Sequence, residues 1–358
     1  MGDKTVKILK NAKLNGTLTD IAVKDGKIVK IGKLTGDGYD CLGNRIYPGL
    51  IDIHSHGCLG FDTMDAENRL EEMSVFQLKH GTTSWYPTTM TMSKEDIKRA
   101  TDRNISGLSG ATVVGFHMEG PFIHPKFKGA QNPDYITKPS LEFFSQLKNI
   151  AIVTLAPELP GSKAFIEGCP AVVAIGHTDT DYDTAMGAIR AGAKCLTHTF
   201  NAMNGIHHRA PGPIGAASDS DGVYCQLIAD GKHIHEASIR MLVKIMGIDR
   251  IILISDSIRA TGLGDGEYSF GGQKITVTDG IARVEEGNLA GSTSTLFDCV
   301  KNMISFGYSP EDAVKMASEN PARLMKLNKG KIDVGYDADF IIVDDDFNLV
   351  TAITRGEF

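Results

Sequence analysis

Five short apolar runs of this chain each end in a residue type that binds metal ions, and this coincidence constrains the fold more than any other feature. The residues at the ends are His54 with His56, Glu119, His177, His198 and Asp256. All five ends would meet if the runs were parallel strands of one barrel. Alternate residues of a strand share a face, so His54 and His56 could bind one ion together. Imidazole and carboxylate groups suit zinc, iron, manganese or cobalt, and the pattern therefore predicts a metallohydrolase.

The composition favours a large globular protein and argues against two classes of partner. Of the 358 residues, 42% are hydrophobic and 23% are charged, enough for one large domain and a smaller one. The net charge of -7 gives no general basic surface, so we expect neither nucleic acid nor a membrane as a partner. The six cysteines lie far apart, and no apolar run approaches the roughly 20 residues that cross a bilayer. Together these features predict a cytoplasmic protein with free thiols.

Residues 48–326 alternate short apolar strands with amphipathic helical segments. Eight strands are predicted, at 49–55, 82–88, 112–119, 151–156, 171–177, 194–199, 223–229 and 250–256. Helical periodicity lies between them at 65–80, 94–107, 141–148, 181–191 and 236–246. Eight such units are the number in a TIM barrel, whose catalytic groups lie at the carboxyl ends of the strands. The predicted fold class is therefore α/β, with a (β/α)8 barrel over 48–326.

The two ends of the chain have a different pattern. Residues 5–47 and 329–358 alternate as short strands, with turn dipeptides such as Asn15-Gly16 between them. We therefore expect a small β-sandwich domain built from both termini, residues 1–47 plus 327–358. The segment 265–288 contains Gly271-Gly272 and Asp279-Gly280 and predicts a hairpin inserted after the eighth strand.

Several short elements occur in a fixed order along the chain. They include Pro-Gly-Leu-Ile-Asp-Ile-His-Ser-His-Gly at 48–57, Glu-Gly-Pro-Phe at 119–122 and Phe-Asn-Ala-Met at 200–203, with others at 81–88, 176–178, 228–231, 255–262 and 289–292. On these elements, and over essentially its full length, the chain resembles the N-acetylglucosamine-6-phosphate deacetylases of the amidohydrolase superfamily. The histidines and the final aspartate are shared across the superfamily, whereas Glu-Gly-Pro-Phe and Phe-Asn-Ala-Met belong to the deacetylases.

The resemblance implies that Glu119, His177 and His198 hold one metal ion. Relatives that also carry the first histidine pair can hold two ions bridged by the glutamate, and this chain has His54 and His56. We therefore expect one or two divalent ions, with zinc or iron favoured over manganese or cobalt. The alternative is that the strand histidines are core residues with ordinary hydrogen bonds. For Glu119 that alternative is weak, because a buried, unpaired carboxylate is costly.

Hydrolysis of an amide also needs a group that moves a proton. Asp256, at the end of the eighth strand, is the natural general base toward water and general acid toward the departing amine. The resemblance implies the same catalytic role. The alternatives are a further metal ligand or an N-cap of the segment that follows.

The resemblance also identifies residues that contact the substrate. They are Ala130, Asn201, Ala202, Arg209, Asp230, Gly231, Lys232, His233, Leu289, Ala290 and Gly291. Asn201 and Ala202 would donate to the sugar phosphate, and Arg209 would pair with it. The basic cluster around Arg209 could instead be a solvated loop or a subunit contact, since the resemblance implies a homodimer whose partner lies near this region.

The resemblance predicts an enzyme of amino sugar and carbohydrate metabolism. Its predicted reaction is metal-dependent hydrolysis of N-acetyl-D-glucosamine 6-phosphate to D-glucosamine 6-phosphate and acetate. One alternative is an amidohydrolase of another N-acylated compound, such as N-acetylgalactosamine 6-phosphate, or of a cyclic amide. Another is a relative that kept the barrel and lost the metal, but every expected ligand is present in this chain. Function must be argued from the site, because the barrel hosts many chemistries.

Overall fold

The computed structural model describes residues 6–358, so Met1 to Thr5 lie outside the description. The strands are β1 (Lys7–Leu14), β2 (Thr17–Lys24), β3 (Lys27–Gly32), β4 (Tyr39–Asp40), β5 (Arg45–Pro48), β6 (Leu50–Ser55), β7 (Gly57–Cys58), β8 (Phe61–Asp62), β9 (Thr82–Thr89), β10 (Thr112–Val113), β11 (Phe116–Glu119), β12 (Ile150–Leu155), β13 (Val172–Ile175), β14 (Cys195–Leu196), β15 (Tyr224–Ile228), β16 (Ile251–Ile254), β17 (Gly266–Phe270), β18 (Gln273–Thr278), β19 (Ile281–Val284), β20 (Phe340–Val343) and β21 (Leu349–Ile353). The helices are α1 (Leu70–Lys79), α2 (Lys94–Thr101), α3 (Leu141–Phe144), α4 (Ser162–Gly168), α5 (Tyr182–Ala191), α6 (Gly212–Ser218), α7 (Glu236–Met246), α8 (Leu296–Ser305), α9 (Pro310–Ala317) and α10 (Glu319–Leu324). In this described part of the chain no helix is both long and apolar enough to span a bilayer.

The central sheet is a nearly closed parallel barrel, which confirms the predicted fold class. Its strands follow one another as β6, β9, β10 with β11, β12, β13, β14, β15 and β16. The predicted strand 112–119 is interrupted, because β10 pairs with β9 alone whereas β11 pairs with β9 and β12. Gly115 suits this interruption, since a Cβ atom there would lie 2.9 Å from the carbonyl oxygen of Asn149.

Apolar side chains fill the barrel and the layer around it. The interior cluster includes Ile51, Ile53, Ile152, Ile252 and Ile254, all fully buried. A larger cluster lies between the strands and the surrounding helices. Because the interior is packed, the cavity of the site can open only at the carboxyl ends of the strands.

The first and last barrel strands meet beside the predicted site. The backbone N–H of Asp256 donates to the carbonyl oxygen of His54 (2.9 Å), and that of His56 donates to Ser257 (2.7 Å). Between β6 and β16 the Ser255 hydroxyl donates to the buried Asp52 carboxyl at 2.5 Å. Burial raises the pKa of Asp52 to about 6, against hydrogen bonds that favour its charged form. These contacts fix His54 and Asp256 relative to each other.

Strands from both ends of the chain form one seven-stranded sheet. Its order is β21, β20, β5, β1, β2, β3, with β4 added beside β1. Side chains from strands far apart in this order, including Leu9, Ile28, Phe340 and Ile353, share one buried cluster. The sheet therefore curls around its own core, which agrees with a small β-domain built from the two termini. The predicted limits of that domain stay a prediction.

The segment after β16 differs from the predicted hairpin. Strands β17, β18 and β19 form a three-stranded antiparallel sheet, because Ile281–Val284 pairs with β18 beyond the Asp279-Gly280 turn. This insert lies at the mouth of the barrel, where the side chain of Gln273 donates to the carbonyl oxygen of Ala130 at 2.6 Å. The insert thereby forms one wall of the cavity described below.

Candidate active site

The six residues predicted to bind metal or move protons lie together at the carboxyl ends of five barrel strands. His54 belongs to β6 and His56 follows it, and Glu119 ends β11. His177, His198 and Asp256 each stand two residues beyond β13, β14 and β16, respectively. These last three have positive φ angles of 49°, 27° and 48°. Residues other than glycine rarely adopt this region, and such strain persists mainly where the surrounding structure enforces it, often at functional sites.

Three of these side chains form the first of two compact groups. The Nε2 atoms of His177 and His198 lie 3.2 and 3.0 Å from Oε1 of Glu119 and 3.1 Å from each other. All three residues are buried. Their ligand atoms lie close enough together to hold one ion.

The second group contains His54, His56 and Asp256. Oδ1 of Asp256 lies 3.4 and 3.3 Å from Nε2 of His54 and of His56, and these nitrogens are 3.3 Å apart. Glu119 joins the two groups, because its Oε1 lies 3.3 Å from His54 Nε2 and its Oε2 lies 3.4 Å from His56 Nε2. One carboxylate thus stands between two sets of candidate ligands.

The hydrogen bonds of the four histidines show that this arrangement fits metal ions. Each Nδ1 atom faces an oxygen that can only accept a hydrogen bond. The partners of Nδ1 in His54, His56, His177 and His198 are the Gln226 side-chain oxygen at 3.0 Å and the carbonyl oxygens of Thr88 at 3.2 Å, Phe127 at 2.8 Å and Asn201 at 3.2 Å. Each Nδ1 therefore carries a proton, and in the neutral form of each ring the Nε2 lone pair is directed at the centre of the site.

The charges of the site also favour a bound cation. Burial disfavours ionisation of Glu119 and Asp256, but the nearby histidines outweigh it and hold the pKa of each below its usual value. Burial likewise disfavours protonation of His56, yet contacts with Asp256 and Glu119 raise its pKa to about 10. Two buried carboxylates thus draw positive charge into this space. Histidine and carboxylate donors are those that zinc and other first-row divalent metals accept.

Two other buried polar side chains belong to the site, those of Gln131 and His117. Gln131 donates from Nε2 to Glu119 Oε2 at 2.5 Å, while its Oε1 accepts from the N–H of Thr91 at 2.7 Å. Both ring nitrogens of His117 have protein partners, the carbonyl of Ile53 and the Thr154 hydroxyl, so this ring is not available as a ligand.

A cavity of about 380 Å³ opens above the two groups. Six of the eleven predicted substrate residues line it, namely Ala130, Asn201, Ala202, His233, Leu289 and Gly291. Arg209 does not line it; its exposed guanidinium lies 2.7 Å from the His208 ring. Asp230, Gly231, Lys232 and Ala290 also lie outside the lining.

Asp230 does not line the cavity itself but holds His233, which does. Its Oδ2 accepts from Nδ1 of His233 at 2.7 Å, and its Oδ1 accepts the backbone N–H groups of Lys232 and His233, both at 2.9 Å. Burial opposes protonation of His233, but the hydrogen bond and charge of Asp230 outweigh it and raise the pKa of this imidazole. Asp230 therefore positions His233 as a donor to whatever the cavity binds.

Comparisons with known proteins agree with this geometry. The sequence profile of the amidohydrolase family matches residues 45–358. The chain is 39% identical to the N-acetylglucosamine-6-phosphate deacetylase of Lysinibacillus sphaericus over 356 residues, which cover 94% of this chain and 92% of that protein. It is 32% identical over 353 residues to the N-acetylgalactosamine-6-phosphate deacetylase of Escherichia coli O157:H7, covering 94% and 93% of the two chains. An aspartate-to-alanine mutant of N-acetyl-D-glucosamine-6-phosphate deacetylase from Mycobacterium smegmatis, solved in complex with N-acetyl-D-glucosamine-6-phosphate, superimposes with a TM-score of 0.91 at 29% identity over 99% of both chains.

Proposed function

The chain belongs to the amidohydrolase family, and from that premise we propose that it hydrolyses N-acetyl-D-glucosamine 6-phosphate to D-glucosamine 6-phosphate and acetate. The observation that carries this proposal is the pair of ligand groups joined by Glu119 at the floor of the cavity. Loops from several strands line that cavity with residues predicted to contact a phosphorylated sugar. These observations support a site in which the substrate would bind directly above the metal groups.

We infer that one or two divalent ions are bound at this floor, zinc or iron in preference to manganese or cobalt. Glu119, His177 and His198 would hold one ion, and His54 and His56, with Glu119 shared, would hold the other. When bound, such an ion supplies a Lewis acid for the acetyl carbonyl and lowers the pKa of water. The four Nδ1 hydrogen bonds keep the histidine rings in place for this task.

Asp256 is the proposed proton carrier. Its carboxyl lines the cavity and stands beside His54 and His56, close to the proposed position of the acetyl group. It would take a proton from the attacking water and return that proton to the C2 nitrogen as the amide bond breaks, since an amine departs slowly without one. His233, held by Asp230, would donate to an oxygen of the sugar or of the acetyl group.

The phosphate is proposed to lie toward Asn201 and Ala202, on the side of the cavity that leads to the exposed loop with Arg209. Because Arg209 lies outside the cavity of its own chain, its exposed guanidinium would contact the phosphate in the cavity of a second subunit. We therefore infer a homodimer in which this loop lies near the partner. The homodimer and the cytoplasmic location stay predictions.

The Arg209→Ala variant is expected to lower kcat/KM for the phosphorylated sugar by roughly tenfold or more, because a hydrogen bond to a charged group typically contributes about 1.5–3 kcal/mol. Metal content should not change. The unphosphorylated sugar should lose little further activity, and Arg190→Ala, an exposed change on α5, serves as the control. Equal losses on both sugars would make Arg209 a structural residue instead.

An acetate-release assay on three substrates tests the proposed function. N-acetyl-D-glucosamine 6-phosphate should be hydrolysed with the highest kcat/KM, its C4 epimer N-acetyl-D-galactosamine 6-phosphate more slowly, and unphosphorylated N-acetyl-D-glucosamine least. The epimer is included because one of the relatives is named for it. Preference for the galacto epimer would replace the proposed substrate, and no acetate from any of the three would contradict the proposal.

A further inference from the structure

Gln226 lies in the middle of β15 and is fully buried. The surrounding strand residues, Tyr-Cys and Leu-Ile, form part of the apolar cores. Burying a primary amide costs free energy unless its polar atoms form hydrogen bonds. Its Oε1 atom lies 3.0 Å from Nδ1 of His54 and 3.4 Å from the backbone nitrogen of His198.

The contact with His198 determines which way the amide faces. A backbone N–H can only donate, so the atom opposite it must be the amide oxygen rather than the nitrogen. The backbone of Gln226 supports the same pairing, because its carbonyl oxygen accepts the N–H of Thr199 at 2.8 Å. The end of β14 therefore fixes the orientation of the Gln226 side chain.

That orientation in turn fixes the proton on His54. An oxygen 3.0 Å from Nδ1 requires the hydrogen to be on Nδ1, and the Nε2 lone pair then faces His56, Glu119 and Asp256. With the amide reversed, Nδ1 would have to accept, and the hydrogen would move to Nε2. A His54 ring in that form could not bind a metal ion through Nε2.

We propose that Gln226 is a positioning residue that couples the two ligand groups, by transmitting the fixed position of the His198 backbone to the protonation form of His54. This inference rests on the proposed metal site. In it, Gln226 determines how tightly the group that contains His54 and His56 binds its ion. The amide oxygen carries the role. Within residues 6–358 the Nε2 atom of Gln226 makes no hydrogen bond to an oxygen or nitrogen atom and meets only the weakly accepting thiol of Cys195, so the oxygen makes the stronger contacts.

This division between the two amide atoms suggests a pair of variants. Gln226→Glu keeps an acceptor at the same place and replaces the NH2 group of the amide with a second oxygen. Gln226→Leu has a similar size and leaves His54 Nδ1 without an acceptor. His54→Ala is included because the class of metal site that disappears in this variant is the one that contains His54. Gln146→Leu, the same change on the exposed surface, is the matched control.

The experiment is calorimetric titration of the metal-free variants with Zn²⁺. In the Gln226→Leu protein, the class of site that His54→Ala removes should weaken by about 10- to 100-fold, the usual effect of losing a partner behind a ligand. The Zn²⁺ affinity of the other class of site, formed by Glu119, His177 and His198, should stay within about twofold of wild type. Gln226→Glu should keep both classes. A Gln226→Leu protein with two unaltered classes, or a wild type without a class that depends on His54, would overturn the inference.

A measurement on the zinc-loaded wild type keeps the inference testable even if Gln226→Leu does not fold. Nitrogen-15 labelling of histidine, with His54 assigned by its absence in His54→Ala, should show an Nδ1 proton that exchanges slowly with solvent. A rapidly exchanging Nδ1 proton would contradict the inference alone. A wild type that binds no Zn²⁺ at all would contradict the proposed function as well, so the two failures are distinguishable.

Discussion

Replacing Asp256 with Asn is expected to lower kcat by at least about 100-fold, within the range for loss of a general acid or base. The amide has the size of the carboxyl and is still polar beside His54 and His56, whose Nε2 atoms lie 3.4 and 3.3 Å from Oδ1. It cannot take up a proton from water and return it to the C2 nitrogen. Substrate should therefore bind without turning over, and a complex with intact substrate should be isolable.

The measurement is steady-state kinetics together with metal analysis of the same preparation. Asp221→Asn, the same change at an exposed turn, serves as the control and should match wild type. A variant at position 256 that retains its metal and more than about a tenth of wild-type kcat would leave Asp256 without a catalytic role. Loss of metal together with activity would instead place Asp256 among the ligands.

Replacing His177 or His198 with Ala is expected to remove tight metal binding and to reduce activity below about one hundredth of wild type. Each ring supplies an Nε2 next to Glu119 Oε1, and the other imidazole beside this oxygen, that of His54 at 3.3 Å, already belongs to the second group. The loss should exceed the 10- to 100-fold typical for a residue behind a ligand.

Metal analysis after dialysis, with acetate release on the same sample, checks this expectation. His80→Ala is the control, because His80 ends α1 with its ring on the carbonyl oxygen of Phe76 and faces no ligand group. Wild-type metal content with normal turnover in either variant would show that the ligand assignment is wrong.

The fold and the ligand groups could be predicted from the sequence because their causes are local. Apolar runs of strand length define the barrel, and a parallel barrel brings the residues at the ends of its strands together. His54, Glu119, His177, His198 and Asp256 could thus be placed at one site without knowledge of any contact. The strand at 112–119 was predicted as continuous because the close approach of Gly115 to the next strand has no local signature.

The side chains behind the ligands could not be predicted in this way. Gln226 contacts residues that lie 28 and 172 positions away along the chain. Gln131 contacts residues that lie 12 and 40 positions away. Such distances along the chain leave no periodicity to detect. Asp230 was predicted to touch the substrate, but the structure turns its carboxyl toward His233 and away from the cavity lining. The resemblance pointed to the segment 230–233 as a whole, and the geometry shows that within it His233 lines the cavity whereas Asp230 does not.

Acetate release is proposed to occur at the two metal-ligand groups joined by Glu119. A metal titration of the stripped protein is the decisive test. The protein is stripped of metal with a chelator, Zn²⁺ or Fe²⁺ is added in steps, and bound metal and hydrolysis of N-acetyl-D-glucosamine 6-phosphate are measured at every step. We expect almost no activity in the stripped protein and a recovery of activity in proportion to metal occupancy, complete at one or two ions per chain. Full activity in the stripped protein, or metal binding without recovery of acetate release, would contradict this proposal.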